Sequence, residues 1–229
     1  MNVYIWTSWE LKNDYIGEYK IPMSWLLWYR PLQSDLKDLS WNGNNGTRYW
    51  TWAFDTVLGK TWARVTTTGT NRITASHIET PLIYWSIPIT FCFWADIYTQ
   101  WGRSWIISNA NYSDDLTDFC LRTYRTDYIL VASLWNWNNN QISTYSLNTW
   151  IFYAITIDSS WAWKLYKNWT LSNSWTWANT ATNSWYWWIW ARNSWGWGER
   201  WIDWLMRHCA IYNRALTDAE ILEFYNQTA

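Results

Sequence analysis

Apolar residues recur at every second position through IPITFCFWADIY (87–98), at Ile89, Phe91, Phe93 and Ala95. Only extended backbone brings such positions onto one face, so the segment is predicted as a strand facing a core. TWIFYAITID (149–158) is more continuously apolar and predicts a central strand. WLLWYRPL (25–32), ARVTTT (63–68) and NRITASHI (71–78) predict further strands, the last two split by a turn at Gly69-Thr70. SWIISN, DFCLRTY, YILVASL and NQISTYSL add four short strands between Asn, Asp and Ser clusters. QSDLKDLSWNGNNGT (33–47) predicts a long loop, and WYWWIWAR a single strand inside a second loop over 172–198. One helix is predicted, TDAEILEFYNQ (217–227), with Thr217 as N-cap and Glu220 completing a capping box. Ile221, Leu222 and Tyr225 line its inward face, and the helix is expected against the edge of the β structure.

Composition changes this picture at the turns. The chain of 229 residues holds 28 Trp and only 8 Gly, whereas Gly ordinarily makes up about 7% of a protein. Trp9, Trp25, Trp41, Trp105, Trp161, Trp175, Trp185 and Trp195 each follow a serine, and Trp137 and Trp169 follow an asparagine. Ser-Gly and Asn-Gly are turn signals, but Ser-Trp is not. Three readings compete: sugar-stacking indoles, a packed aromatic core, or glycines written as tryptophan. SWTWANTATNSWYWWIWARNSWGWGER (174–200) has no sustained period, which argues against a core. A sugar platform needs a few aromatics on one face, not a score of them scattered through turns. The third reading fits the turns, because some uncultured bacterial lineages read the UGA codon as glycine while a default table writes Trp. DSSWAWKLYKNWTL (158–171) then becomes a hairpin, with Asn168 and a glycine at 169 as its type I′ turn. Trp94 and Trp150 lie in apolar strand patterns and are expected to be genuine.

The formal net charge is −1, which gives no electrostatic reason for a nucleic-acid or anionic-membrane partner. No run approaches the roughly 18 apolar residues of a spanning helix, so no membrane insertion is expected. The opening MNVYIWTSWELKND lacks the basic-then-apolar order of a signal peptide. Residues 1–23 are expected to be a leader or a truncated upstream segment, and 24–229 one β-sandwich domain. Cys92, Cys120 and Cys209 lie in strand patterns and read as buried thiols, with one disulfide as the alternative.

Several of these segments together resemble the laminin-G-like domains of the concanavalin A-like lectin/glucanase superfamily, in the form found on bacterial surface proteins. WLLWYRPL is similar to that family's opening strand, and DLSWNGNNGT to its Asp-x-Ser-Gly-Asn-Gly-Asn-Asn-Gly-Thr loop. ITFCFWADI and NTWIFYAITID are similar to its two Trp-bearing strands, and KLYKNWTL to Leu-Tyr-x-Asn-Gly. WLMRHCAIYNRALTDAEI (204–221) is similar to its closing strand and helix, with Ile-Tyr-Asn-Arg-Ala-Leu the most specific piece. The resemblance spans roughly residues 24–226. It implies an all-β fold: a two-sheet antiparallel jelly-roll sandwich with a short C-terminal helix.

The same resemblance implies a recognition or adhesion module outside the cell, with carbohydrate as the leading partner and a surface protein next. Asp38 and Asp203 are the candidate ligands for a calcium ion by that analogy, or else loop carboxylates that accept backbone N–H groups. The family's acidic pair in the closing strand is replaced here by Met206-Arg207-His208, and its Phe-Asp-Gly by TTG (67–69). Tyr98, Tyr112 and Tyr124 are candidate ligand-binding aromatics. Catalysis is not expected: a retaining glycosidase of this fold needs two carboxyl groups about 5–5.5 Å apart, and no Glu-x-Asp-x-Glu run exists. Asp114-Asp115 reads as solvated loop acids. A hydrolase or lyase, or a purely structural surface domain, stands as the alternative.

Overall fold

The computed structural model describes residues 21–22, 25–32, 36–40, 42–49, 52–57, 60–66, 77–79, 88–101, 104–108, 120–124, 129–133, 139–176, 188–193 and 201–229. These residues form antiparallel strands in two sheets and one helix.

The first sheet is built around three strands: β6 (Ile89–Trp101), β11 (Ile151–Ile157) and β15 (Trp201–Tyr212). Its order is β13-β12-β11-β6-β15-β4-β3, with β1 (Leu26–Arg30) also on β15. Here β3 is Trp52–Val57, β4 Lys60–Thr66, β12 Ala162–Lys167 and β13 Thr170–Thr176. The second sheet runs β10-β9-β8-β7-β14-β5-β2. Its strands are β2 Thr47–Tyr49, β5 His77–Glu79, β7 Ser104–Ser108, β8 Cys120–Tyr124, β9 Ile129–Ser133, β10 Asn139–Thr144 and β14 Trp188–Asn193.

All predicted strands with described residues are present. The turn at Gly69-Thr70 lies outside those residues, as does most of NRITASHI, of which β5 takes up the end. The sequence reading missed β2 and β3, because indoles at Trp50 and Trp52 obscure the alternation in RYWTWAFDTV.

The period of two in β6 sorts its side chains between two cores. Ile89, Phe91, Phe93, Ala95 and Ile97 join Ile151, Tyr153, Ile155 and Ile157 of β11 on one face. Cys92 and Trp94 join Phe152 and Ala154 on the other. This explains why β11 is apolar at nearly every position: both of its faces are buried. Among the described residues, those of the helix pack only into the second core. Cys92 and Cys209 are free buried thiols assigned to opposite cores, and no disulfide joins them.

The helix α1 (Asp218–Thr228) starts where the sequence places it. Thr217 accepts from the Glu220 N–H, and the Glu220 carboxylate returns a 2.9 Å bond to the Thr217 N–H, the full capping box. Its docking differs from expectation. The helix lies over the central strands rather than at an edge, because its apolar face meets Trp94, Phe152, Leu205 and Tyr212. That face is Ile221, Phe224 and Thr228, while Leu222 points outward. Phe224 stacks on Phe152 at 5.8 Å and Tyr225 on Trp94 at 5.3 Å. The Trp94 indole donates to Thr228 Oγ1 at 2.8 Å.

One strand edge serves two partners end to end. β15 pairs with β4 over Asp203–Met206 and with β1 over Cys209–Tyr212. Between them His208 takes φ of 49° and breaks the ladder, and its N–H bonds Pro31 O at 3.0 Å.

Candidate functional site

A dense polar assembly is the loop after β1, which carries Asp38. Asp38 Oδ1 accepts the N–H groups of Tyr29 and Ser40, each at 2.9 Å. Its Oδ2 accepts Ser40 Oγ and the Asn44 N–H, both at 2.7 Å. The loop closes further because Asn45 Oδ1 accepts the Asp38 N–H at 2.9 Å. The side chain of Asn42 bonds Leu26 O and Leu27 O at 2.9 Å, and that of Asn44 bonds Leu27 O at 3.0 Å. Gly43 turns the chain with φ of 64°, a conformation that suits a residue lacking Cβ. DLSWNGNNGT is therefore a side-chain-templated loop: one buried carboxylate organises the N–H groups around it.

Arg30 extends this network inward. It is fully buried, donates from Nη2 to Asn44 O, and holds its guanidinium 4.7 Å from the Trp28 ring centroid. Burial pulls its pKa down to about 10, opposed by the attraction of Asp38. Nε and Nη1 of Arg30 and Nε1 of Trp28 have no hydrogen-bond partner among the described residues.

A carboxylate offers about four acceptor sites, and four donors already use those of Asp38. This donor set does not fit calcium, whose oxygen ligands must turn their lone pairs to the ion. Asp203 lies elsewhere on β15. Tyr29, whose N–H meets Asp38, pairs with Ala210, seven residues from Asp203; at about 3.3 Å per residue that is roughly 20 Å. Strand register thus keeps the two residues apart. The Asp203 side chain is outside the described set. Among the described residues no group of three or more His, Cys, Asp or Glu could hold a metal ion.

The three tyrosines are not assembled into one site by the described residues. Tyr98 is half-buried late in β6 and packs against the helix-side core. Tyr124 ends β8 in the other sheet, with its side chain outside the described set, and Tyr112 lies outside the described residues altogether.

Asp96, which the sequence reading passed over, is a buried carboxyl on β6. Desolvation raises its pKa, offset in part by the Thr149 N–H, and Oδ1 has no partner among the described residues. Its only signal in the sequence is an acid inside an apolar strand, FWADIY.

No family model matches the sequence, and no curated protein does. Solved structures do. The chain is similar to a structure of botulinum neurotoxin type C concerned with cell entry through two ganglioside molecules. That match has a TM-score of 0.71 and 14% identity, covering 89% of this chain and 51% of that one. The binding domain of botulinum neurotoxin DC in complex with rat synaptotagmin II gives 0.66 and 16%, over 90% and 52%. The binding domain of Paraclostridial Mosquitocidal Protein 1 gives 0.67 and 17%, over 88% and 52%. The chain spans about half the length of these structures, and at such identity the likeness is one of fold.

Proposed function

We propose that this chain is a non-catalytic recognition module of the laminin-G-like, concanavalin A-like lectin type, acting outside the cell and binding carbohydrate. The observation that carries the reading is the fold likeness to toxin binding domains over nearly nine-tenths of the chain. One such domain is solved with a sialylated ligand, abbreviated SialylT, and another with a protein receptor. Those ligands belong to those proteins; for this chain they set the classes to test, carbohydrate first and surface protein second. The closing motif supports the same reading. In IYNRAL, Arg214 clamps Glu220 with two hydrogen bonds, one of 2.6 Å, and so fixes the strand-to-helix corner. The templated loop around Asp38 supplies a rigid rim on which exposed Asn42 and Asn45 can meet a polar ligand.

The test is a glycan array that includes gangliosides and sialyllactose, with each hit titrated by calorimetry and incubated for turnover. Reversible binding with the glycan recovered intact supports the proposal. Cleavage of a bound glycan refutes the non-catalytic part, and silence across the array refutes the carbohydrate part.

A further inference from the structure

Among the described residues seven non-glycine positions have left-handed backbone, and three of them are tryptophans: Trp25 at φ 64°, Trp161 at 64° and Trp169 at 65°. Left-handed φ is uncommon outside glycine, is enriched in Asn and Asp, and is an outlier for a bulky residue, because Cβ meets the neighbouring carbonyl. The other four include Asn148 and Asn168, which tolerate it, and Leu32 and His208, which tertiary structure holds. Leu32 is buried in the core, and His208 is fixed by its bonds to Pro31 O and the Tyr29 hydroxyl.

Trp161 is half-buried against the first core, whereas Trp25 and Trp169 lack such compensation. Trp25 is 66% exposed and Trp169 is 48% exposed, so each combines a strained backbone with an indole left in water. Strain of this kind often marks a functional site, but here it is dispersed. Trp25 precedes β1, while Trp161 and Trp169 flank opposite ends of β12.

The two corners that flank β12 have turn forms that call for glycine. Asn168 and Trp169, at φ of 47° and 65°, occupy the two central positions of a type I′ hairpin turn. Trp161 follows a turn in which its N–H bonds Asp158 O at 3.1 Å, and Asp158 N bonds Ala162 O at 3.0 Å. That is the left-handed slot of a three-residue hairpin with a G1 bulge. Trp94 has the opposite character: regular strand backbone, deep burial and a bonded indole N–H.

We infer that the native protein carries glycine at positions 25, 161 and 169 and tryptophan at 94 and at 150, which packs partly buried against the helix-side core, so geometry sorts the tryptophans by how the host reads their codons. It follows that the exposed indoles at 25 and 169 are not a sugar-stacking platform, and the ligand contacts of the proposed function must come from other residues. The inference itself does not rest on that function.

The decisive experiment is peptide mass spectrometry of the protein isolated from its own host, with the codons of the gene read alongside. Glycine at 25, 161 and 169 encoded by UGA, with indoles at 94 and 150 encoded by UGG, is the expected result. Indole at 161 and 169 in the native peptides overturns it. Recombinant chains give a second readout: Trp161→Gly and Trp169→Gly should each raise Tm by about 2–4 °C. A fall in Tm for both overturns the claim that these backbones are built for glycine.

Discussion

The helix-covered face of the first sheet and the corners of the β11–β12–β13 hairpins both carry tryptophan, with opposite consequences. Under the helix, Trp94 fills space between Tyr225 and Arg207 and donates its N–H to Thr228. At the corners, Trp161 and Trp169 sit on backbone that a Cβ strains. A large aromatic stabilises where extended backbone, burial and a hydrogen-bond partner coincide. Elsewhere the same side chain is a burden on the turn.

The largest effect is expected where the helix-side core is broken. Trp94→Gly removes the indole, leaves Thr228 without its donor and opens a cavity, so a loss of about 4 kcal/mol is expected in urea denaturation. A loss below about 1 kcal/mol would show that the helix contributes little to the sheet it covers.

Next comes Asp38→Ala, which strips the acceptor from three backbone N–H groups and leaves buried Arg30 without its counter-charge. About 3 kcal/mol should be lost. Chelation of divalent cations should leave the unfolding midpoint unchanged; a midpoint that falls with EDTA would contradict the donor geometry of this loop.

The clamp at the start of the helix makes a pH prediction. The Arg214 hydrogen bonds, with help from Thr217, lower the Glu220 pKa from 4.5 to about 2. Because the folded value is depressed, the stabilisation is complete above the unfolded pKa and is lost as pH falls from about 4.5 towards 2. The pair is partly solvated, so roughly 1 kcal/mol is expected after screening. Glu220→Gln should flatten that acid limb, and an unchanged limb would remove the clamp from the account.

The smallest effect belongs to the exposed pair Lys164–Asp218 at 3.6 Å, which links β12 to the helix at the surface. Lys164→Ala should change stability by less than about 0.5 kcal/mol, measured in the same denaturation series. A larger loss would make the hairpin and the helix face one cooperative unit instead of two contrasting regions.

The particular elements show where reading ahead of the structure works. The strand through Ile89, Phe91 and Phe93 was legible because side chains alternate with a fixed period that no tertiary contact alters. The capping box was legible because Thr217 and Glu220 satisfy each other within one turn. The hairpin at Asn168 was legible because turn chemistry is local, even with an indole printed at the next position. The candidate site was much less so. Asp38 was marked, but the four donors around it include Tyr29, nine residues back on β1. Asp96 drew no notice, since an acid within an apolar strand pattern is by itself a weak sign of burial.

The amino-acid sequence by itself determined most of the described elements: which stretches extend, where the chain reverses, and where helix α1 begins. Those follow from repeat periods, φ preferences and capping groups within a few residues of each other. Only the tertiary structure decided that β15 divides one edge between β4 and β1, that the helix covers the sheet face, and that Asp38 binds the protein's own N–H groups. These depend on which distant surfaces meet and exclude water. A carboxylate, or an indole, takes its role from those neighbours and not from its place in the chain.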